Sequence, residues 1–385
     1  MIGIPASLRR INQQAVLRHL LAHGQASRAQ IAKAIGLSAP TVGKVVVDLL
    51  ASQIIEEIPA DDFSEALSPG RPGRLLQIDQ TTPRLIVLQL GVRHTRLNAL
   101  PIAGPVDESW PVEFATPQTP AAFRKLLANA AKKLPASEPW AVMISIPGAV
   151  DEQAGKVLLS PNLHWLEKAD LASIIAQVWD APVRFVQEIR ALAMGQLQTG
   201  PQEDFFLMDI GEGVGGAAVI GGKLFSATLP LTGELGHTPI DQNTRPCGCG
   251  GVGCLETLLS RGGLIQTLTT GRQKADWVSV VRRVEQSGVE PALARTLDAA
   301  ARVLAGTMNV MGVRRVVVTG ALSDLPESVM TYLSDKVAQG AMWGKFGRVE
   351  CIAAPRRRAA GLVAMAVQQL LLSSDASASR GSASS

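Results

Sequence analysis

The chain has 385 residues, 46% of them hydrophobic and 18% charged, with a formal net charge of +4. That length exceeds one ordinary domain of about 150 residues, and the composition excludes disorder over most of the chain. No apolar run reaches the ~18 residues needed to cross a bilayer, and the start MIGIPASLRRINQQ lacks the apolar stretch of a signal peptide, so a cytoplasmic protein without membrane insertion is expected.

The small net charge hides an uneven distribution. Over residues 1–55, Arg9, Arg10, Arg18, Arg28, Lys33 and Lys44 stand against Asp48 alone, which makes this stretch a candidate nucleic-acid face. Ala15, Val16, Leu20 and Leu21 recur at helical spacing between residues 12 and 22, and Gly24 follows as a stop. Ser27 and Gln30 have the spacing of a capping box and open a second helix through Ile31, Ala34 and Ile35 that ends at Gly36. Ser38 caps a third, with Pro40 in its first turn, running through Val42, Val45, Val46, Leu49 and Leu50.

Helix, glycine turn and capped helix predict a helix-turn-helix. Its last helix would enter a major groove by its N-terminal end, so Ser38, Ala39, Thr41 and Lys44 are candidate DNA contacts. A three-helix bundle without nucleic acid is the alternative. Ile54, Ile55 and Ile58 look like one strand and Leu75, Leu76 and Ile78 another, joined by a connection ending in Pro69-Gly70-Arg71-Pro72-Gly73-Arg74. This predicts a wing carrying Arg71 and Arg74 toward a narrow minor groove, unless both are solvated loop charge. A winged helix-turn-helix domain is expected over residues 1–82.

From Pro83 onward the pattern changes to apolar strands alternating with helices: LIVLQLGV, WAVMISIPG, FFLMDIGEGVGGAAVIGG and RRVVVTGAL. This is α/β organisation. Gly211, Gly213, Gly215 and Gly216 lie between two strand-like runs, as a phosphate-cradling turn or a purely structural one. The sharpest motif is GELGHTPIDQNTRPCGCGGVGCLE at residues 233–256. There His237, Cys247, Cys249 and Cys254 supply one imidazole and three thiolates, the ligand set of a closed, structural tetrahedral zinc site. Cys351 stands alone and reads as an inert buried thiol. Residues 373–385, SSDASASRGSASS, read as a flexible tail.

Gly233-Glu234-Leu235-Gly236-His237 followed by Cys-x-Cys-Gly-x-x-Gly-Cys-x-Glu resembles the signature of the ROK family, which groups repressors, uncharacterised reading frames and sugar kinases. SIPGAVDEQAGKVLLSPNLHW at 145–165 is similar to another family segment, and SRAQIAKAIGLSAPTVGKVVVDLL with the GRP of the wing resembles the DNA-binding half of its regulator branch. The resemblance implies an actin-like (ribonuclease H-like, hexokinase-type) domain over residues 83–372. Its two α/β lobes would be residues 83–195 plus a C-terminal helix around 359–371, and residues 196–358. It implies sugar-hydroxyl contacts by Glu234, His237 and Glu256, beside Gln187 and Glu188.

An active family kinase has an Asp in its first phosphate hairpin, an Asn-Asp catalytic pair, a Thr in the second hairpin and a Gly-Gly turn beside the adenosine. Here Gln89, Gln187-Glu188, Glu212 and Thr319-Gly320 stand in those places. The resemblance therefore implies a sugar-responsive regulator, a repressor, with no ATP expected. It would bind a double-stranded DNA operator as a homo-oligomer, a dimer or dimer of dimers. A ROK-type sugar kinase, or a regulator controlled by a protein partner, are the other readings. Glu234 and Glu256 could instead merely support the zinc loop.

Overall fold

The computed structural model describes residues 4–59, 74–135, 138–200, 203–226, 232–269 and 276–373. Arg71, most of the expected wing connection and residues 374–385 of the expected tail lie outside the described residues.

The N-terminal unit contains α1 (Ile4–His23), β1 (Gln25–Ser27), α2 (Arg28–Ile35), α3 (Ala39–Ala51), β2 (Ile55–Ile58) and β3 (Leu75–Ile78). Both expected caps form. Ser27 Oγ accepts from the Gln30 N–H while the Gln30 side chain accepts from the Ser27 N–H, and Ser38 Oγ accepts from the Thr41 N–H. Gly36, at φ +69°, ends α2 in the left-handed conformation that glycine adopts without cost. The axes of α2 and α3 then differ by 118°. Strands β1, β3 and β2 form one antiparallel sheet in that order. Helix α1 starts well before residue 12: its first turns expose Leu8 and Ile11 to solvent and make an Arg9–Asp48 ion pair to α3. The three-residue β1, placed by pairing with β3, was not expected.

The first lobe contains β4 (Leu85–Leu90), β5 (His94–Leu100), β6 (Val112–Ala115), α4 (Pro120–Ala131), β7 (Ala141–Ile146), β8 (Ala149–Asp151), β9 (Lys156–Leu159), α5 (Leu171–Ala176), β10 (Val183–Gln187) and α6 (Glu188–Thr199). Its main sheet has the order β10-β7-β4-β5-β6; β4, β7 and β10 are parallel and β4, β5 and β6 antiparallel. The second lobe contains β11 (Phe205–Ile210), β12 (Val214–Ile220), β13 (Lys223–Leu224), α7 (Glu256–Leu259), α8 (Arg261–Leu268), α9 (Trp277–Ser287), α10 (Pro291–Met311), β14 (Arg315–Gly320), α11 (Glu327–Gly340) and β15 (Glu350–Ala353). Its order, β13-β12-β11-β14-β15, repeats the same design, with β11, β14 and β15 parallel. Strands β4, β7 and β11 are buried along their whole length, as parallel strands covered on both faces must be.

Helix α12 (Arg358–Val367) continues as a π-helical turn, Gln368–Leu372, and packs on α6, β4 and β7 of the first lobe. The two helices approach closely: a Cβ on Gly361 would lie 1.7 Å from the Ala191 carbonyl oxygen. The apolar core under α6 and α12 is continuous with that of the N-terminal unit.

Candidate sugar cleft and metal loop

The second hairpin, between β11 and β12, meets the loop that carries the sharp motif. Gly216 N–H donates to the Gly233 carbonyl, and with φ +93° a Cβ on Gly233 would sit 2.0 Å from the Gly216 oxygen. Only glycine fits that approach. It places Glu234 and the short 3-10 turn Leu235–His237 against β12.

The loop then folds back on itself through isolated bridges Pro239 to Cys254 and Pro246 to Val252, and the Cys247 N–H donates to the Gly251 carbonyl. The ligand atoms of His237, Cys247, Cys249 and Cys254 all lie within 4.8 Å of one another. His237 Nδ1 is 3.5 Å from Cys247 Sγ, and Cys249 and Cys254 Sγ are 3.8 Å apart. A tetrahedron with metal–sulfur bonds of about 2.3 Å has edges of about 3.8 Å. The four residues thus fit a metal ion. Burial pushes the Cys247 thiol up to about 12 and raises Cys254, while the Gly251 N–H lowers Cys249; a bound divalent cation would favour ionisation of all three.

The other ring nitrogen of His237, Nε2, turns toward Glu234 Oε2 at 3.5 Å. Glu234 also accepts from Gln187 Nε2 at 3.0 Å, and burial raises its carboxyl above the usual range. Glu256 Oε2 accepts the Val214 N–H at 2.9 Å and its Oε1 lies 3.9 Å from Cys247 Sγ. Glu188 is ion-paired with Arg358 at the head of α12. Glu234, His237, Glu256, Gln187 and Glu188 all line one cavity of about 220 Å³ between the lobes.

Ion pairs also line the cavity. Arg93, in the first hairpin, pairs at 2.9 Å with Glu212 in the second. Arg356 grips both oxygens of Asp209, at 2.7 and 3.0 Å, and Thr319 donates to the same carboxylate. Gln89 lines the cavity as well. Sequence reasoning missed Arg93, Asp209, Arg356 and Arg358; the one available signal was the Arg356-Arg357-Arg358 run heading an apolar helix.

In the N-terminal unit, Ser38, Ala39 and Lys44 are exposed on the N-terminal half of α3 and its cap, and Thr41 is half-buried with its hydroxyl on Ser38. Arg74 is exposed but paired with Glu57 at 2.6 Å, a carboxylate that Arg28 shares and that these two arginines hold below its usual range. The structure thus brings the α3 candidates to one surface and gives Arg74 an internal partner.

The model of the ROK family matches residues 86–369. The chain is 28% identical to the xylose repressor of Caldicellulosiruptor bescii, over 75% of this chain and 70% of that protein. A ROK family transcriptional regulator, described as a homolog of the Escherichia coli MLC protein, superposes with a TM-score of 0.72 over 95% of this chain and 98% of that one, at 19% identity. A ROK family glucokinase from Streptomyces griseus, solved with glucose and AMPPNP, gives 0.59 over 73% of this chain and 97% of that one, at 22% identity.

Proposed function

The chain belongs to the ROK family, and on that premise we propose that it is a sugar-responsive, DNA-binding transcriptional repressor. Its N-terminal unit is a winged helix-turn-helix that reads an operator, and its two lobes are a ligand sensor braced by structural zinc. The observation that carries this reading is helix α12, which touches both ends. Its first residue, Arg358, is paired with Glu188 in the cleft. Its C-terminal carbonyls are held by α1: Arg10 and Gln14 donate to the Ser373 oxygen and Arg18 to that of Leu372. Cations and donors at a helix C-terminus satisfy its free carbonyls and complement its dipole. A change in cleft shape therefore has a rigid route to the DNA-binding unit.

Zinc held by His237, Cys247, Cys249 and Cys254 would supply no open coordination position, so it acts by fixing the loop that presents Glu234 and Glu256. Phosphotransfer is not expected. Where a kinase holds magnesium and phosphates, this chain sets Arg93 on Glu212 and Arg356 on Asp209, and Glu212 would repel a triphosphate.

On DNA, the exposed amine of Lys44 should contribute one phosphate-type contact, with Arg71 adding another from the wing. Binding of the full chain to a duplex selected from a random pool should weaken in Lys44→Ala, and the slope of log affinity against log salt should flatten by about one unit. An unchanged slope would remove α3 from the DNA interface.

A further inference from the structure

We propose that Gln89 is a specificity-determining contact for the cleft ligand and that this ligand is an uncharged polyhydroxy compound, not a phosphorylated or acidic one; the proposal rests on the sugar-sensing reading above. Gln89 is the penultimate residue of β4, only 8% exposed, and its side-chain oxygen has no hydrogen-bond partner among the described residues. Ser145, its register partner on β7, has a fully buried hydroxyl in the same condition, and Arg358, 5% exposed, has an unpartnered Nε. Buried polar groups are nearly always satisfied, so the unpartnered atoms of Gln89 and Arg358, two residues that line the cavity, mark an unsatisfied polar site beside it. The neighbouring amide, Gln187, is already used by Glu234.

An amide offers a donor at one end and an acceptor at the other, and a hydroxyl both gives and takes a hydrogen bond, so the two match whichever end of Gln89 faces the cavity. Charge excludes the competitors. Every guanidinium lining the cavity already has a carboxylate: Arg93 has Glu212, Arg96 has Glu113, Arg356 has Asp209 and Arg358 has Glu188. Among the described lining residues no guanidinium is left unpaired for a phosphate, while Glu234 and Glu256 add negative charge to the cavity. The ligand spans from these two carboxylates to Gln89.

The test is titration calorimetry on the zinc-loaded full chain. The probes are a panel of neutral aldopentoses, aldohexoses and N-acetylated hexosamines, with the 6-phosphates of the hexoses. The variants are Gln89→Leu, the near-isosteric Gln89→Met and Glu256→Gln. The expected result is that a neutral sugar binds the parent chain and its 6-phosphate binds at least about tenfold more weakly. Both Gln89 variants should lose about tenfold or more for the neutral sugar while keeping zinc and the unfolding temperature. A phosphate ester that binds as well as its parent sugar, or folded Gln89 variants of unchanged affinity, would overturn the proposal. If Glu256→Gln loses binding and the Gln89 variants do not, only the Gln89 contact falls. If no compound in the panel binds the parent chain, the cleft reading falls and takes this contact with it.

Discussion

Cys249→Ala protein is expected to retain less than a tenth of the zinc of the parent chain, which should hold one ion per protomer. Cys249 is one of four donors that close on a common point, and a structural site with three protein ligands loses the cooperation between metal binding and local folding. The loop from Thr238 to Cys254 is otherwise held by hydrogen bonds, most of the backbone ones within the loop itself. Its turns are glycine-rich, and among its described anchors are the two isolated bridges, Asn243 on Thr257 and the Cys254 carbonyl, and Arg245 on Thr257 and Thr267. Loss of the metal should therefore lower the unfolding temperature and abolish the response to sugar together, because Glu256 follows the last ligand by two residues. Elemental analysis with hydrogen exchange over the loop checks this. Undiminished metal in Cys249→Ala would show that these thiols are not zinc ligands.

Glu256→Gln should leave zinc content and operator binding as they are and weaken sugar binding about 10- to 100-fold, the range expected when a hydrogen bond to a charged group is lost. The geometry makes the two possible roles of Glu256 separable. One oxygen already takes the Val214 N–H, a contact that a glutamine oxygen reproduces, while the other stands 3.9 Å from Cys247 Sγ at the edge of the cavity. A role limited to bracing the loop predicts the opposite pattern, lost zinc or lost stability with the remaining folded protein still responsive. Parallel metal analysis, thermal unfolding and sugar titration separate the two.

What was legible in the sequence was local. The caps at Ser27 and Ser38 involve residues three apart, and the metal set falls between positions 237 and 254, so both could be read from spacing before any fold was known. The helical period of α3 gave its buried face, Val42, Val45, Val46 and Leu49, directly. The ion pairs that line the cleft were not legible, because they join residues far apart: Arg93 and Glu212 are separated by 119 positions, and Glu188 and Arg358 by 170. The first pair joins the two lobes and the second joins helices packed on each other within the first lobe, and no window of the chain encodes either contact. The first turns of α1 were missed for a related reason. Their support comes from Asp48 on another helix and, through Arg10, from the carbonyl of Ser373. The family resemblance supplied the cleft residues that spacing alone could not, Gln187 and Glu188 included, yet it did not foresee that Glu188 would be engaged by an arginine of the last helix.

That last helix makes the central claim testable in one measurement: the affinity of the zinc-loaded full chain for its selected operator, followed by fluorescence anisotropy with and without the neutral sugar that binds the cleft. Linkage requires that a sugar altering DNA affinity be itself bound with altered affinity in the presence of DNA, by the same factor. The account predicts a drop in operator affinity of about 5- to 150-fold at saturating sugar, the usual span of allosteric coupling. Operator affinity that stays constant while the cleft is demonstrably filled would contradict it.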